Sequence, residues 1–219
     1  SRYEGTTIGR QEIHAELLTE VPGALWTMAL IEQSRVQSMP EMARVVIAID
    51  PAVTSRDQSD ETGILVCGRG TDGRAYVIED LSCRVSPDAW ARRAVDALKR
   101  HKADRIVAEV NNGGDLVETV IRTVDRNVPY RAVHASRGKR ARAEPIAALY
   151  EQKRVRHIGV FPQLEDQMVS WVSLSGMPSP DRLDALVWAI TELAISGGQA
   201  SAAISDGIKP LVQANPWQV

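Results

Sequence analysis

The sequence predicts an α/β fold in which a mixed sheet of five or more strands is flanked by helices. Apolar runs rich in β-branched residues, which are typical of buried strands, lie at 44–50 and 105–110. Two further β-rich runs, 63–68 and 74–81, are separated by a turn rich in Gly and Asp, which is typical of an antiparallel hairpin. Amphipathic helical patterns then alternate with strand patterns, and this alternation favours parallel crossover units.

The first part of the chain divides into a connector and a meander. Residues 1–42 contain helical pieces broken at 21–23, and we expect a linker there, followed by a domain at 43–196 and a tail at 197–219. The strand at 44–50 ends in Asp50. With the hairpin that follows, it is predicted to form three antiparallel strands.

The second part alternates helices and strands. Ser86-Pro87-Asp88 is a helix start, because Ser is a good N-cap and Pro suits the first helical position. The later patterns are strand 105–110, helix 116–124, strand 130–135, helix 143–152, strand 155–160, helix 164–172 and helix 181–195. The resulting order, β-β-β-α-β-α-β-α-β-α-α, is that of the ribonuclease H-like fold. In it the first strand pairs in parallel with the strand at 105–110.

The composition is that of an ordinary globular protein. Of 219 residues, 44% are hydrophobic, and no apolar run approaches the roughly 20 residues that span a bilayer. The sequence shows no signal-peptide character, so we expect a cytoplasmic location. Cys67 and Cys83 lie in apolar strand-like surroundings without a CxxC pair, and we expect reduced core residues rather than a structural zinc site.

Positive charge is concentrated in one segment. Residues 131–157 carry eight Lys or Arg and two Glu, a net +6, so the remainder of the chain, whose total is -2, carries -8. Such a segment suits contact with a phosphate backbone, or it is a solvated helix face. The candidate DNA contacts in it are Arg137, Lys139, Arg140 and Arg142.

Four acids form the candidate catalytic site. If the two strands are parallel neighbours about 4.8 Å apart, Asp50 and Glu109 emerge at the same sheet edge, where their mutual repulsion favours a cation. Asp181 and Asp184 lie on one face at the start of a helix. Separately, a strand-terminal Asp can simply start a turn, and an acid such as Asp181 suits a helix N-terminus. Neither explains Asp184, which interrupts an apolar helix face.

Carboxylates at this density predict a site for Mg²⁺ or Mn²⁺, since no His or Cys accompanies them. Two such ions activate a water and stabilise the leaving oxygen in phosphodiester hydrolysis. Asp50 is the predicted bridging ligand. Glu109 is expected to hold one ion or orient the nucleophile, and Asp181 or Asp184 to complete the shell of the other.

Residues 44–195 resemble the C-terminal nuclease domain of phage large terminase subunits, and most of all those of gene transfer agents. The resemblance is carried by five stretches, VVIAIDPAVTS, DETGILV, IVAEVNNGGDLV, ASRGKRARAEPIAALYEQKRV and SPDRLDALVWAITEL. It implies metal-dependent cutting of double-stranded DNA during genome packaging in a bacterial host cell. By the matching motifs, the metal ligands carry over to Asp50, Glu109, Asp181 and Asp184.

The resemblance also implies partners. Large terminases carry an N-terminal ATPase with a GxxxxGK[ST] loop, whereas Gly138-Lys139 is followed by Arg and lacks the upstream Gly. We therefore expect a fragment whose missing part is the ATPase domain, with the portal and the small terminase subunit as further partners. Two alternatives are a phosphotransferase of the actin or sugar-kinase type, for which glycine-rich phosphate loops are lacking, and a non-catalytic DNA-binding or motor-docking module.

Overall fold

The computed structural model describes residues 21–51, 61–110, 114–172 and 180–195. Seven strands form one sheet: β1 Arg35–Val36, β2 Met42–Asp50, β3 Gly63–Gly70, β4 Ala75–Asp80, β5 Arg105–Glu109, β6 Tyr130–Val133 and β7 Val155–Ile158. Within the described residues, six helices flank it: α1 Met28–Ser34, α2 Pro87–Arg100, α3 Gly114–Val124, α4 Lys139–Glu151, α5 Pro162–Ser170 and α6 Asp181–Ile195. Across these ranges, no helix combines the length and apolar character that crossing a bilayer requires.

The sheet is mixed, with the strand order β1-β7-β4-β3-β2-β5-β6. Strands β2, β3 and β4 form the predicted antiparallel meander. Strand β2 also pairs in parallel with β5, through Ala48 and Val107. The predicted ribonuclease H-like arrangement is therefore confirmed. The two-residue strand β1, which pairs with β7, was not predicted because so short an element leaves no periodic pattern.

Each face of the sheet is covered by its own helices. On β2, Val46 and Ala48 pack in the core cluster that contains α4, α5 and α6, whereas Ile47 and Ile49 pack against α2 and α3. Successive strand residues point to opposite faces. Asp50 therefore belongs to the same face as Ala48, which is the face covered by α6.

Several local predictions need correction. Ser86 is the N-cap residue of α2, as predicted, but its side chain makes no capping hydrogen bond. Leu116, the first residue of the amphipathic pattern predicted at 116–124, is exposed. Helix α4 begins at Lys139, four residues before the predicted 143. Its basic first turn shows no apolar periodicity and opposes the helix dipole, so no pattern in the sequence indicates this earlier start.

The segment before β2 packs on the core. The indole of Trp26 and the side chain of Ile31 are buried in the cluster on the α6 face. Arg35 donates to Glu165 at 2.7 Å, and Glu165 also bonds to the buried His157, which contacts the Tyr150 hydroxyl. These bonds tie β1 to β7 and α5. Residues 1–20 lie outside the described residues, so the linker assigned to 1–42 stays a prediction, as does the tail.

Candidate functional site

Two of the predicted acids follow directly after the last pair that joins strands β2 and β5. Ile49 of β2 pairs with Ala108 of β5 in the parallel register, and Asp50 and Glu109 come directly after them. Parallel neighbours end at the same edge of a sheet. The side chains of Asp50 and Glu109 therefore both lie at this edge, as predicted from the two apolar runs.

Helix α6 brings the other two acids to the same edge. It packs across β2 and β3, with Asp181 as its first residue and the Asp184 side chain almost fully buried. Burial raises the pKa of the Asp50 carboxyl well above its usual range, and the negative charges of Asp184, Glu109 and Asp181 raise it further. The four acids, called here the acidic cluster, are thus close enough to act on one another electrostatically.

Two basic side chains from the first turn of α4 balance part of this charge. The Lys139 ammonium lies 2.9 Å from Asp184, and the Arg142 guanidinium lies 3.1 Å from Glu109 and 4.0 Å from Asp184. Lys139 also acts against the raised pKa of Asp50. These contacts account for a basic helix start that the macrodipole alone would disfavour.

Trp188 of α6 also contacts Glu109. Its indole N–H donates to the Glu109 carboxylate, and the Arg142 guanidinium lies 4.7 Å from the centroid of its ring. The sequence predicts Trp188, Trp90 and Trp171 as core residues, and all three are buried. The hydrogen bond to Glu109 was missed, because an apolar helix pattern does not show where an indole N–H points.

The four predicted DNA contacts divide into two pairs. The Lys139 and Arg142 side chains reach the acidic cluster, and Arg142 is only 10% exposed. Arg137 and Arg140 are exposed, and Arg140 pairs with Glu144 one helical turn away. Arg137 and Arg140 therefore lie on the surface beside the cluster, where contact with DNA stays a prediction.

Buried polar contacts fix the first turn of α6. Arg182 pairs with Glu61 at 2.6 Å and with Asp80 at the end of β4. The side-chain oxygen of Gln167, on α5, accepts from the backbone N–H groups of Arg182 and Leu183 and so caps the helix. Together these contacts hold Asp181 and Asp184 in place, and no spacing in the sequence signalled them.

Gly63 of β3 allows α6 to approach the sheet. It pairs with Asp50, and a Cβ added at Gly63 would lie 2.1 Å from the backbone carbonyl oxygen of Asp181. We expect Gly63→Ala to push the start of α6 outward and to lower the free energy of unfolding by about 1–3 kcal/mol, the usual cost of overpacking. Urea denaturation measures this loss.

Gly138→Ser is the matched control, because a Cβ there meets nothing within 4 Å and Ser is a better N-cap for α4 than Gly. We expect its stability to equal or slightly exceed that of the wild type. Equal stability of Gly63→Ala and the wild type would contradict the close contact between β3 and α6.

The donor chemistry of the cluster fits a hard divalent cation. Among the described residues, no three or more His, Cys, Asp or Glu side chains are already grouped as metal ligands. Glu109 and Asp184 instead take positive charge from Arg142 and Lys139. Carboxylate oxygens are the ligands that Mg²⁺ and Mn²⁺ prefer, and the repulsion around Asp50 is relieved by added positive charge.

This chain is similar to a known protein family. A family model described as the terminase RNaseH-like domain matches residues 47–193, a range that includes all four acids. A comparison with curated protein sequences finds no match.

Solved structures similar to this chain include nuclease domains of phage large terminases. That of phage P22 is 14% identical, with a TM-score of 0.59, and the match covers 80% of this chain and 95% of that one. That of bacterial virus Sf6, solved with manganese, is 14% identical with a TM-score of 0.56 and coverages of 76% and 98%. The HK97 large terminase is 10% identical with a TM-score of 0.56 and coverages of 77% and 43%. At these identities the likeness shows a shared fold, and the particular resemblance to gene transfer agents stays a prediction.

Proposed function

This chain belongs to the terminase RNaseH-like domain family, and we propose that it is a metal-dependent endonuclease that cuts double-stranded DNA during genome packaging. The observation that carries the proposal is the acidic cluster. Strand ends and a helix start bring Asp50, Glu109, Asp181 and Asp184 together, at an electrostatic cost shown by the raised pKa of Asp50. A fold tolerates such a cost more readily where a cation is to be bound.

We propose that the cluster holds two Mg²⁺ or Mn²⁺ ions, with Asp50 as the shared ligand. Glu109 would hold one ion or orient the nucleophile, and Asp181 or Asp184 would complete the ligands of the other. When bound, such ions activate a water and stabilise the leaving oxygen of a phosphodiester. The Sf6 nuclease domain, which shares this fold, was solved with manganese.

The surrounding side chains position the acids. The Trp188 indole holds one carboxylate oxygen of Glu109, and Arg142 bonds to the same oxygen. Lys139 and Arg142 place positive charge beside Asp184 and Glu109, and bound ions would share these carboxylates with them. The basic first turn of α4 would then face the phosphates of the bound DNA.

The family suggests which partners this chain has. We propose that the chain works beside an ATPase domain of the same full-length protein, with the portal and the small terminase subunit as further partners, in the cytoplasm of a bacterial host. A related full-length large terminase is longer, since the match to this chain covers 43% of that of HK97.

One observation favours a second candidate function. Glu109 and Asp184 already pair with Arg142 and Lys139, and such pairing would also suit a non-catalytic DNA-binding or motor-docking module that needs no metal.

A plasmid-cutting assay separates the two functions. With Mn²⁺ or Mg²⁺, the purified chain is expected to nick and linearise supercoiled plasmid, and Asp50→Ala is expected to lower the rate by more than about 100-fold, because metal ligation contributes several kcal/mol to transition-state stabilisation. Gel electrophoresis over time measures both rates.

Asp96→Ala is the matched control, since Asp96 is an exposed acid on α2, which packs on the opposite face of the sheet. We expect it to cut like the wild type. No cutting by the wild type, or equal cutting by Asp50→Ala, would favour the non-catalytic module.

A further inference from the structure

Three arginines converge on one buried carboxylate of α6. Arg44 and Arg131 each lie 2.8 Å from the Glu192 carboxylate, and Arg105 lies 3.6 Å from it. We call these four residues the arginine cluster. Their formal charges sum to +2, since three guanidiniums meet one carboxylate.

The strands place the three arginines side by side. Arg105 begins β5 opposite Val46, and Arg131 of β6 pairs with Val107. Because side chains alternate along a strand, Arg44 shares the face of Val46, the face on which α6 packs. The cluster thus lies across three neighbouring strands, toward the end of β2 and β5 that is opposite the acidic cluster.

The charge of the cluster exceeds what a buried carboxylate needs. One guanidinium is enough to balance the charge of a buried Glu, and Arg44, whose side chain is 14% exposed, already bonds to one oxygen of Glu192. The side chains of Arg131 and Arg105 are 43% and 39% exposed. Each guanidinium carries five N–H donors, so both arginines retain donors for a second anion.

A groove runs from the arginine cluster to Trp188. It has a volume of about 260 Å³ and runs between the edge strand β6 and helix α6. Arg131 and Glu192 line it, together with His134, Thr191 and Trp188. Trp188 is the residue whose indole donates to Glu109. The groove therefore extends from Glu192 of the arginine cluster to Trp188, which contacts Glu109 of the acidic cluster.

The helix sets the length of this path. Asp184, Trp188 and Glu192 are spaced four residues apart and so lie along one side of α6. At 1.5 Å per residue, the eight residues from Asp184 to Glu192 span about 12 Å. At about 3.4 Å per nucleotide of one strand, this distance corresponds to three or four nucleotides.

We propose that the arginine cluster binds one backbone phosphate of the DNA strand, three or four nucleotides from the bond that the acidic cluster cuts. This inference rests on the proposed function, because it takes the acidic cluster as the cutting site. Paired, half-exposed guanidiniums recognise a phosphate by charge and by parallel N–H donors. The competing interpretation is that the arginines only join three strands to α6.

The test uses duplex DNA in which one phosphate is replaced by an uncharged methylphosphonate. Cuts by the wild-type chain in Mn²⁺ are mapped on the modified strand. The position of each cut is counted from the neutral methylphosphonate, so the experiment does not require the enzyme to prefer a sequence. We expect cutting three or four nucleotides to one side of that position to fall roughly tenfold, the loss expected of one charge-assisted contact. In the double variant Arg105→Gln, Arg131→Gln, this depletion is expected to disappear.

Binding without metal is the second measurement. In EDTA, fluorescence anisotropy is expected to show DNA binding by the double variant roughly tenfold weaker than by the wild type, and the slope of log Kd against log salt is expected to fall by about 0.9, the share of one phosphate. Arg92→Gln, on α2 and paired with Asp88, is the matched control and should bind like the wild type. Thermal unfolding checks that the double variant is folded. We expect it to be folded, because Arg44 is unchanged and still bonds to the buried Glu192.

The outcomes separate the two proposals. Cutting with the same pattern around the methylphosphonate in the wild type and the double variant would overturn the phosphate site and leave the nuclease standing. A wild type that binds DNA with the expected salt difference but never cuts it would support the phosphate contact and overturn the endonuclease. If DNA binding and the salt slope are unchanged in the double variant, the arginine cluster does not bind phosphate and only joins the strands to α6.

Discussion

Asp50→Asn is expected to abolish DNA cutting and, without divalent metal, to stabilise the fold at neutral pH. Burial raises the pKa of the Asp50 carboxyl, and the neighbouring charges of Asp184, Glu109 and Asp181 raise it further. The ionised carboxylate is therefore unfavourable in the folded protein. Asparagine has nearly the same shape and no charge, so it removes the repulsion together with the proposed metal ligand.

The sign of the pH dependence follows from the same shift. Because the pKa of Asp50 is higher in the folded than in the unfolded chain, the folded state holds the proton more tightly. The free energy of unfolding therefore falls as the pH rises from the usual aspartate range through the folded pKa. The advantage of Asp50→Asn should be largest above that pKa and should shrink in acid. Urea denaturation in EDTA across this pH range measures it.

Divalent metal provides a second readout of this variant. Mg²⁺ or Mn²⁺ that binds the folded state should raise the stability of the wild type, and Asp50→Asn should gain less from the same concentration. Asp96→Asn, which changes an exposed acid of α2, is the control and should respond to metal like the wild type. A metal-free Asp50→Asn protein less stable than the wild type at neutral pH would contradict the repulsion inferred for the acidic cluster.

Arg182→Met is expected to cause the largest loss of stability, about 3–5 kcal/mol, the usual cost of removing one partner of a buried ion pair. Arg182 is buried and pairs with both Glu61 and Asp80. Methionine fills a similar volume but leaves two carboxylates without their cation. Cutting should fall as well, because Arg182 anchors the turn that carries Asp181 and Asp184. Chemical denaturation and the plasmid assay measure the two effects.

A rescue experiment tests the cause. If the unpaired carboxylates account for the loss, adding Glu61→Gln and Asp80→Asn to Arg182→Met should recover part of the stability. Arg92→Met is the control, because it breaks an exposed pair with Asp88 and should change stability little. No recovery in the triple variant would assign the loss to packing rather than to charge.

The sequence predicts the two strands and the helix that carry the four acids, because these elements follow from apolar periodicity. The apolar run ending at Asp50 and its partner ending at Glu109 are strands of the expected bounds within one or two residues, and they are parallel neighbours. The helix that starts at Asp181 has the predicted bounds. Burial patterns of this kind depend on local residue spacing, which can be read directly from the chain.

The partners of the acids could not be predicted, because they depend on contacts between distant segments. The sequence predicts DNA contacts at Lys139 and Arg142, which stays a prediction, but it gives no sign that these side chains pair with Asp184 and Glu109. Nothing in the local pattern shows that Gly63 makes room for α6. Such contacts arise only when the strands and helices are assembled, and no residue spacing records them.

Helix α6 also contributes residues to both clusters. It carries Asp184, Trp188 and Glu192 on one side, so a single rigid element joins one acid of the acidic cluster to the carboxylate of the arginine cluster. Each residue of an α-helix turns the chain by about 100°. One residue inserted between Asp184 and Trp188 would therefore leave both ends helical but turn Glu192 out of phase with Asp184, so that Glu192 could no longer meet the arginines while Asp184 stays beside Asp50.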